Sequence, residues 1–167
     1  MKKIIIIALL LVSVLPMTAQ EKSRKDRKAE KEAQRKEEVQ DLLKSRNFKF
    51  VADHALPMGG KSMYLSSPYD LTLKNDSAFA WLPYFGVAYQ ADYGDRDGGI
   101  KFKEPVNNLK VEDTKTGEDI SFRIKSKKDT YDMVLSVSDL GHADLNITCI
   151  NRQPIRFRGS IHPIEEE

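Results

Sequence analysis

Residues 118 to 137 read EDISFRIKSKKDTYDMVLSV, and this stretch has the pattern of two strands joined by a short turn. Apolar residues alternate with polar ones on both sides of the turn: Ile120, Phe122 and Ile124 before it, and Tyr131, Met133, Leu135 and Val137 after it. Alternation with a period of two is typical of a β-strand that has one buried and one solvated face. The polar residues KSKKDT between the two sets predict a tight connection.

The same period of two continues on both sides of this hairpin. The further apolar sets are Phe48, Phe50 and Ala52; Tyr69, Leu71 and Leu73; Leu145, Ile147 and Cys149; and Ile155 and Phe157. About eight to ten short strands with no helices between them predict an all-β antiparallel meander, with consecutive hairpins over residues 109 to 163. Such a sheet has to bury one face and protect its edges. We therefore expect a barrel-like or strongly curved sheet, with a two-sheet sandwich as the alternative.

The first twenty residues, MKKIIIIALLLVSVLPMTAQ, have the pattern of a secretory signal peptide. A basic start precedes an apolar run that is too short to span a membrane, and a small residue follows at Ala19. We expect cleavage near Ala19 or Gln20 and a secreted, periplasmic or envelope-associated product without a transmembrane segment. No cysteine follows the apolar run, so we do not expect a lipoprotein.

Cleavage of this segment also removes the formal positive charge of the chain. The sequence has 27 basic and 25 acidic residues, and two of the lysines lie in the first twenty residues. The remaining protein is formally neutral. Its composition therefore argues against nucleic-acid binding, and export argues against it further.

A charged segment, EKSRKDRKAEKEAQRKEEVQDLLKSR, occupies residues 21 to 46 and contains neither glycine nor proline, which predicts a helix. Its first part has almost no apolar residues, so we expect a helical stalk or disordered spacer, with a partner-binding arm as the alternative. Val39, Leu42 and Leu43 then form an apolar stripe at helical spacing, which we expect to pack against one end of the sheet. The expected domains are a signal peptide at 1–20, the stalk at 21–38, and one antiparallel β domain with a short N-terminal helix at 39–167.

Cys149 is the only cysteine of the chain, so no intramolecular disulfide can form. Its alternation with Leu145 and Ile147 places it on the apolar face of a strand. We expect a buried and unreactive thiol, with pairing to another chain as the alternative.

Residues 81 to 93, WLPYFGVAYQADY, contain five aromatic residues. Pro83 cannot donate a ladder hydrogen bond and predicts a corner between two strands. Beyond it, apolar residues from Phe85 to Tyr93 alternate with small or polar ones, which favours a buried strand face that includes Val87 and Tyr89. The alternative is a cavity or groove for an apolar or glycan ligand, for which the candidate residues are Trp81, Tyr84, Tyr89 and Tyr93. Tyr84 is out of phase with the predicted buried face and is the first candidate to touch a ligand.

Residues 93 to 104, YGDRDGGIKFKE, partly fit a twelve-residue calcium loop. Asp95, Asp97 and Glu104 stand at ligand positions and are the candidate metal ligands. Tyr93 stands at the first position, where an Asp-like oxygen ligand is required. A polar hairpin loop in which Gly98 and Gly99 adopt positive φ explains the same residues.

Motifs for catalysis are absent from the sequence. The three histidines are dispersed without zinc-ligand spacing, and neither a nucleophile elbow nor a phosphate-binding loop occurs. We therefore expect no catalytic residue and no cofactor.

Three pairs of basic residues are spaced by two on the predicted strands: Lys101 with Lys103, Arg123 with Lys125 and Arg156 with Arg158. If their strands are neighbours, the pairs predict a basic stripe for an anionic glycan or lipid headgroup. Otherwise they predict a solvated strand face.

Four stretches together resemble the domain-of-unknown-function family 4251, small secreted proteins of Bacteroidetes. They are FKFVADHALP at 48–57, YDLTLKNDSAFAWLPYFGVAY at 69–89, GGIKF at 98–102 and NRQPIRFRGSIHP at 151–163. The resemblance covers nearly the whole β region and not the charged stalk. It implies an envelope or periplasmic location and one compact domain, and it implies no activity. The two glycines belong to the family pattern whereas Asp95 and Asp97 do not, which argues against calcium.

The function that we expect is non-enzymatic binding of a small apolar or glycan ligand, or of a protein partner. A ligand-sized cavity is expected beside Trp81, Tyr84 and Tyr89. The alternative is a structural or interaction module of the cell envelope that is positioned by the charged helix. An enzyme whose active site is assembled only in the fold is the third interpretation.

Overall fold

A computed structural model of the chain describes residues 24–89 and 98–164. Within these residues one helix is followed by nine strands. The helix α1 is Arg24–Ser45, and the strands are β1 Phe48–Pro57, β2 Met63–Lys74, β3 Ser77–Leu82, β4 Ile100–Pro105, β5 Asn107–Thr114, β6 Gly117–Lys125, β7 Thr130–Ser138, β8 His142–Cys149 and β9 Ile155–His162. Bonded neighbours are antiparallel and follow the order β4-β3-β2-β1-β9-β8-β7-β6-β5. The predicted antiparallel all-β fold, with consecutive hairpins from β5 to β9, is confirmed.

The sheet closes through a bent strand that β4 and β5 form together. Only Val106 lies between them, and the antiparallel ladders make both run in the same direction. The first half of this bent strand pairs with β3 and the second half with β6. Asn108 at φ 54°, within a register shift, marks the bend. The result is a nearly closed barrel, so the two-sheet sandwich was the wrong alternative.

Alternate side chains of the strands fill the interior of the barrel. The buried residues form one continuous cluster, and the largest of them with less than 2% exposure include Tyr131, Phe48, Phe50, Phe157, Leu71, Met133, Leu135 and Ile147. The ring of Phe102 on β4 stacks on Tyr131 of β7 with the ring centroids 5.4 Å apart. This contact joins the two sides of the barrel where β4 and β6 are not hydrogen-bonded. A barrel of this size is filled by its own side chains, and the period of two correctly predicts which residues of the strands are buried.

The directions of the strands give the barrel two ends. The helix end contains the first residues of β1, β3, β6 and β8, and the loop end contains the connecting residues 58–62, 83–89, 98–99, 126–129 and 150–154. The chain divides into the compact units Met1–Lys31 and Glu32–Glu167. In the first unit, residues 24–31 are helical and exposed.

In the second unit, the last turns of α1 cover the helix end. Val39 is 0% exposed and Leu43 is 6% exposed, and both belong to the core cluster. Polar contacts fix the same turns, because Arg35 Nη2 donates to the carbonyl of Ile161 at 3.0 Å and Lys36 pairs with Asp139 at 3.3 Å. The predicted packing of the apolar stripe against one end of the sheet is confirmed. Of the described helices, none has the length and hydropathy needed to cross a membrane.

Candidate functional site

The segment after Pro83 does not form the strand that its alternation predicts. Residues 83–89 contain a single bridge, Ala88 to Arg152, in which the Tyr89 amide donates to the carbonyl of Asn151 at 2.8 Å. Val87 is 56% exposed and Tyr89 is 64% exposed, whereas Phe85 is half-buried against the core. The predicted buried face through Phe85, Val87 and Tyr89 is therefore wrong beyond its first residue. The segment crosses the loop end and meets the sheet only through this bridge; Ala91 and Tyr93 lie outside the described residues.

Tyr84 fastens this segment to the turn between β8 and β9. Its hydroxyl lies 3.0 Å from the carbonyl oxygens of both Val87 and Gln153, and the two carbonyl groups share its single O–H as a donor. The guanidinium carbon of Arg152 lies 5.2 Å from the centre of the Tyr84 ring. Burial of the hydroxyl, and next the neighbouring Cys149, raise the pKa of Tyr84. Tyr84, which is out of phase with the predicted buried face, therefore holds the loops of this end together.

The turn between β8 and β9 is itself held by a buried carboxylate. Asp129 is 6% exposed, and its Oδ1 accepts hydrogen bonds from the amides of Thr130 at 2.8 Å and Ile150 at 3.2 Å. Its Oδ2 accepts a longer one from the amide of Asn151 at 3.4 Å. Arg152 Nη1 then donates to the carbonyl of Gly98 at 2.7 Å. The turn, the segment 83–89 and the start of β4 are therefore fixed relative to one another.

A cleft of about 270 Å³ opens where β3 ends and β4 begins, and we call it the Trp81 cleft. It is lined by Tyr69, Trp81, Leu82, Pro83, Tyr84, Gly98, Gly99 and Lys101. The Trp81 side chain points outward from β3 and is 48% exposed. The Tyr69 ring meets the Trp81 ring edge-on at 5.7 Å and Lys101 Nζ lies 5.6 Å from the Trp81 centroid. A Cβ on Gly99 would lie 2.8 Å from the carbonyl oxygen of Leu82, so glycine is needed where the cleft floor passes β3.

Two of the four candidate ligand-binding residues share this cleft. Trp81 and Tyr84 line it, whereas Tyr89 is exposed but does not line it, and Tyr93 lies outside the described residues. The sequence reasoning missed Lys101 as a partner of Trp81. The two residues are directly opposite in the β3–β4 ladder, and this register is known only once β3 is seen to pair with β4.

A second, larger cleft of about 470 Å³ lies on the outer face of β1 and of the strands from β9 to β6, and we call it the polar cleft. His54, Arg158, Asp144, Ser136 and Asp119 face one another across it in direct ladder register, and His142 lies beside them. Gly159 permits the bend beneath, because a Cβ there would collide with the carbonyl oxygen of Val51. The sequence reasoning treated the histidines as dispersed, since their proximity depends on this register.

The contacts in the polar cleft are those of a cross-strand ladder. Arg158 pairs with Asp144 at 3.4 Å, and the His54 ring stacks edge-on against Tyr64 at 5.4 Å. Within the described residues of this cleft, no serine hydroxyl is hydrogen-bonded to a histidine or a carboxylate. The arrangement stabilises the sheet and has no assembled nucleophile and base.

The domain-of-unknown-function family DUF4251 has a model that matches residues 30–161. The chain belongs to the DUF4251 family. A crystal structure of a DUF4251 family protein from Bacteroides eggerthii DSM 20697 superposes on this chain with a TM-score of 0.61 at 18% identity, covering 78% of this chain and 89% of that chain. At this identity the likeness shows the fold alone. No curated protein matches the chain. The resemblance stated from the sequence is confirmed.

The candidate metal ligands of this DUF4251 protein are not brought together within the described residues. Glu104 lies on β4, and Asp95 and Asp97 lie outside the described part of the chain. Among residues 24–89 and 98–164, no three His, Cys, Asp or Glu side chains are placed to hold a metal ion. The calcium loop stays an untested alternative, and the positive φ expected at Gly98 and Gly99 is wrong, because neither glycine adopts it.

The three basic pairs do not form one stripe, because β9 is separated from β6 by β7 and β8 and from β4 by β1, β2 and β3. Arg123 makes a two-point contact with Asp132 at 2.6 and 3.0 Å, which raises the pKa of Arg123, and Arg156 donates to Asn146 at 2.7 Å. Lys103 Nζ lies 5.0 Å from the centre of the Phe79 ring. The condition for a basic stripe is therefore not met, and the solvated strand face expected otherwise applies, with the cations in separate cross-strand pairs.

The thiol of this DUF4251 chain is buried, as expected. Cys149 is 9% exposed and unbonded, and burial raises its pKa to about 12, with a further contribution from the nearby Asp129. A thiol of this pKa has almost no thiolate at neutral pH, so it is unreactive.

Proposed function

We propose that this protein is a non-enzymatic binding protein whose Trp81 cleft takes a glycan. The observation that carries the proposal is the half-exposed indole of Trp81 at the rim of a cleft whose walls are fixed by hydrogen bonds. A half-exposed aromatic ring that is held on a rigid strand beside polar groups is the arrangement found at binding surfaces. Indole faces stack on the C–H faces of sugar rings, while hydroxyl and backbone groups at the rim bind the sugar hydroxyls.

A glycan fits better than a small apolar ligand. The barrel interior is occupied by its own side chains, and the Trp81 cleft lies on the surface, where an apolar ligand would stay largely in water. The Tyr69 ring beside Trp81 and the backbone of Gly98 and Gly99 add polar groups to the aromatic platform. These are the features of a site that binds sugar hydroxyl groups by hydrogen bonds.

The charge of the cleft favours an acidic glycan over a neutral one. Among the described residues that line it, Lys101 is basic and none is acidic. Arg152, which braces Gly98, adds a second positive charge beside Tyr84. A carboxylate or sulfate on the sugar would gain a charge-assisted hydrogen bond there.

The location outside the cytoplasm is part of the proposal. It is supported by the signal-peptide pattern of residues 1–20. A glycan ligand is consistent with a secreted, periplasmic or envelope-associated protein.

The test is a printed array of neutral, sialylated, sulfated and uronic-acid oligosaccharides, followed by titration of the strongest binder. Trp81 is the only tryptophan of the chain, so its fluorescence reports on the cleft directly. We expect saturable binding to acidic oligosaccharides, and Trp81→Ala should weaken it at least about tenfold by calorimetry.

Two lysines offer a matched control. Lys101→Gln should weaken binding of acidic oligosaccharides about fivefold, whereas Lys103→Gln, two residues along the same face and outside the cleft, should leave it unchanged. An array without binders, or equal affinities for wild type and Trp81→Ala, would refute the proposal.

The charged helix supports a second candidate, an envelope module in which α1 positions the barrel. Residues 24–34 of α1 are exposed, and in the second unit Arg35 and Lys36 contact the barrel. Deleting residues 21–34 should therefore leave the melting temperature unchanged and abolish correct localisation in the native cell. Normal localisation of the shortened chain would remove this candidate.

A further inference from the structure

The strand β5 stands at one end of the strand order, and among the described residues it is paired with β6 alone. Its other edge therefore has no neighbouring strand in this part of the chain. Residues 110–114, which we call the β5 edge, are exposed, whereas alternate residues are buried in the strands from β6 to β9. An unpaired strand edge is a template on which another chain can add a strand.

The ladder between β5 and β6 sets carboxylates opposite carboxylates. Glu112 lies opposite Asp119, and Asp113 lies opposite Glu118. Burial, and next Asp113, raise the pKa of Glu118, and Lys44 of α1 offsets part of this rise. Glu112 and Asp119 form no ion pair with any residue that the structure describes. Because like charges directly opposite each other destabilise a sheet, a cation beside Glu112 would stabilise this ladder.

The β5 edge also has an apolar side chain on the core-facing side of the sheet that no core residue covers fully. Val111 lies opposite the buried Ile120, yet Val111 is 42% exposed. Lys110, on the outer face opposite Ser121, forms no ion pair with a described residue. The edge thus has an exposed valine at its centre, with a cation before it and a carboxylate after it.

We propose that the β5 edge pairs antiparallel with the β5 edge of a second copy of this chain, about a twofold axis at Val111. Residues directly opposite in an antiparallel pair point to the same face of the sheet. With the axis at Val111, the two valines meet on the core-facing side. On the outer face, Lys110 of each copy lies opposite Glu112 of the partner subunit. The edge is therefore complementary to itself, as a twofold interface requires.

The charges of the strand decide this register. An axis at Lys110 would set two lysines opposite each other, and an axis at Glu112 or Asp113 would set two carboxylates opposite each other. Axes at the ends of the strand fall on the register shift around Asn108, whose φ is 54°, or on the turn that follows the strand. The axis at Val111 remains, and it gives opposite charges on both sides of the valine.

Pairing in this register brings the missing cation to the ladder of carboxylates. Lys110 of the partner subunit would lie on the free side of Glu112, whose other neighbour is Asp119. Opposite-charge cross-strand pairs and backbone hydrogen bonds stabilise the added ladder. Because the ladder is short, we expect a weak dimer with a dissociation constant of about 10 to 100 μM. The β5 edge belongs to the barrel wall, and the proposal does not depend on the Trp81 cleft.

The test is sedimentation equilibrium of residues 21–167 over a series of protein concentrations. This chain retains every member of the core cluster, all of which lie between Val39 and Ile161. We expect a monomer–dimer equilibrium. The amides of residues 110–114 should exchange with solvent more slowly in concentrated than in dilute protein, because pairing protects them.

Charge reversal tests the register. Lys110→Glu and Glu112→Lys should each weaken the dimer about tenfold, because each variant sets like charges opposite each other. An equimolar mixture of the two variants should form a heterodimer with about the wild-type affinity, because every charge then meets its opposite. Recovery in the mixture also shows that both variants are folded.

A valine pair tests the centre of the interface. Val111→Ser should weaken the dimer about threefold, because it removes apolar area that the two copies bury together. Val134→Ser, at a valine of β7 that is 37% exposed, is the matched control and should dimerise like the wild type.

Three results would overturn the proposal. One is a wild-type chain that stays monomeric up to about 1 mM. Another is a dimer that both charge variants leave unchanged, or a mixture of the two that does not recover it. The third is equal protection of the amides of the β5 edge at all concentrations, because the edge would then be covered by another part of the same chain.

Discussion

The two ends of the barrel are closed in different ways. At the helix end, regular secondary structure covers the core, with Val39 and Leu43 buried and charged residues outside. At the loop end, a segment without strand structure lies across the barrel and is held by Tyr84, Arg152 and the buried Asp129. The helix that closes one end buries its own apolar side chains. The segment that closes the other end is held by side-chain hydrogen bonds, and it leaves aromatic and aliphatic side chains exposed to water. The loop end therefore has the surface available for binding, and the helix end serves stability.

The largest effect on stability is expected from a charge at the helix end. Val39→Asp would bury an unpaired carboxylate, so the free energy of unfolding should fall by about 3 to 5 kcal/mol. The matched variant Val87→Asp at the loop end changes a side chain that is 56% exposed and should cost less than about 0.5 kcal/mol. Urea unfolding measures both values. Similar losses for the two variants would show that the ends do not differ.

The buried carboxylate of the loop end should matter more than an exposed one at the helix end. Asp129→Ala leaves backbone amides of the β8–β9 turn without an acceptor and should destabilise by about 2 to 3 kcal/mol. Asp139→Ala removes only the exposed pair with Lys36 and should cost about 0.5 kcal/mol. The comparison fails if Asp129→Ala unfolds at the same urea concentration as wild type.

The Tyr84 hydroxyl has a smaller expected effect. Tyr84→Phe keeps the ring and removes the donor to two carbonyl groups, so the free energy of unfolding should fall by about 1 kcal/mol. Amide hydrogen exchange of Tyr89 and Gln153 should accelerate, while amides at the helix end keep their rates. Tyr64→Phe, at a ring that is 75% exposed, is the control. Unchanged exchange in Tyr84→Phe would mean that the hydroxyl does not hold the segment.

Alkaline pH should lower the free energy of unfolding through Cys149, which ends β8 at the loop end. The pKa of Cys149 is raised from 9.0 to about 12 in the folded chain, because burial disfavours the thiolate. Its contribution to stability is therefore fully present below pH 9 and is lost as the pH rises from 9 towards 12. Between pH 9 and 10 the wild type should lose up to about 1 kcal/mol more than Cys149→Ala. Parallel curves of unfolding free energy against pH for the two proteins would contradict this account.

The strands of the barrel and their buried faces were predictable because the alternation of apolar and polar residues is a local pattern in the sequence. Alternation in residues such as Ile120, Phe122 and Ile124 needs one buried face and nothing else, and the tight turns then fix the neighbours. The segment after Pro83 has the same alternation, but in the fold it makes a single bridge to Arg152 and forms no ladder, so alternation alone gave a wrong prediction there. Trp81 and Tyr84 were identified as ligand candidates by their chemistry.

The rest of the candidate site depends on contacts between distant residues. Lys101 meets Trp81, and His54 meets Arg158, only through the ladder register that folding sets. Arg152 braces Gly98 across more than fifty positions of sequence. Neither the spacing of residues nor the composition indicates such pairs, so the polar cleft could not be recognised from the sequence.

The central claim, that the loop end binds and the helix end only stabilises, is tested most directly by an NMR titration. The titrant is the acidic oligosaccharide that binds most strongly on the array, and backbone amide shifts are followed at both ends. We predict saturable shifts at Trp81, Gly98, Gly99 and Lys101, and unchanged signals at Val39 and Leu43. Shifts confined to the polar cleft around His54 and His142, or to the helix end, would contradict the account.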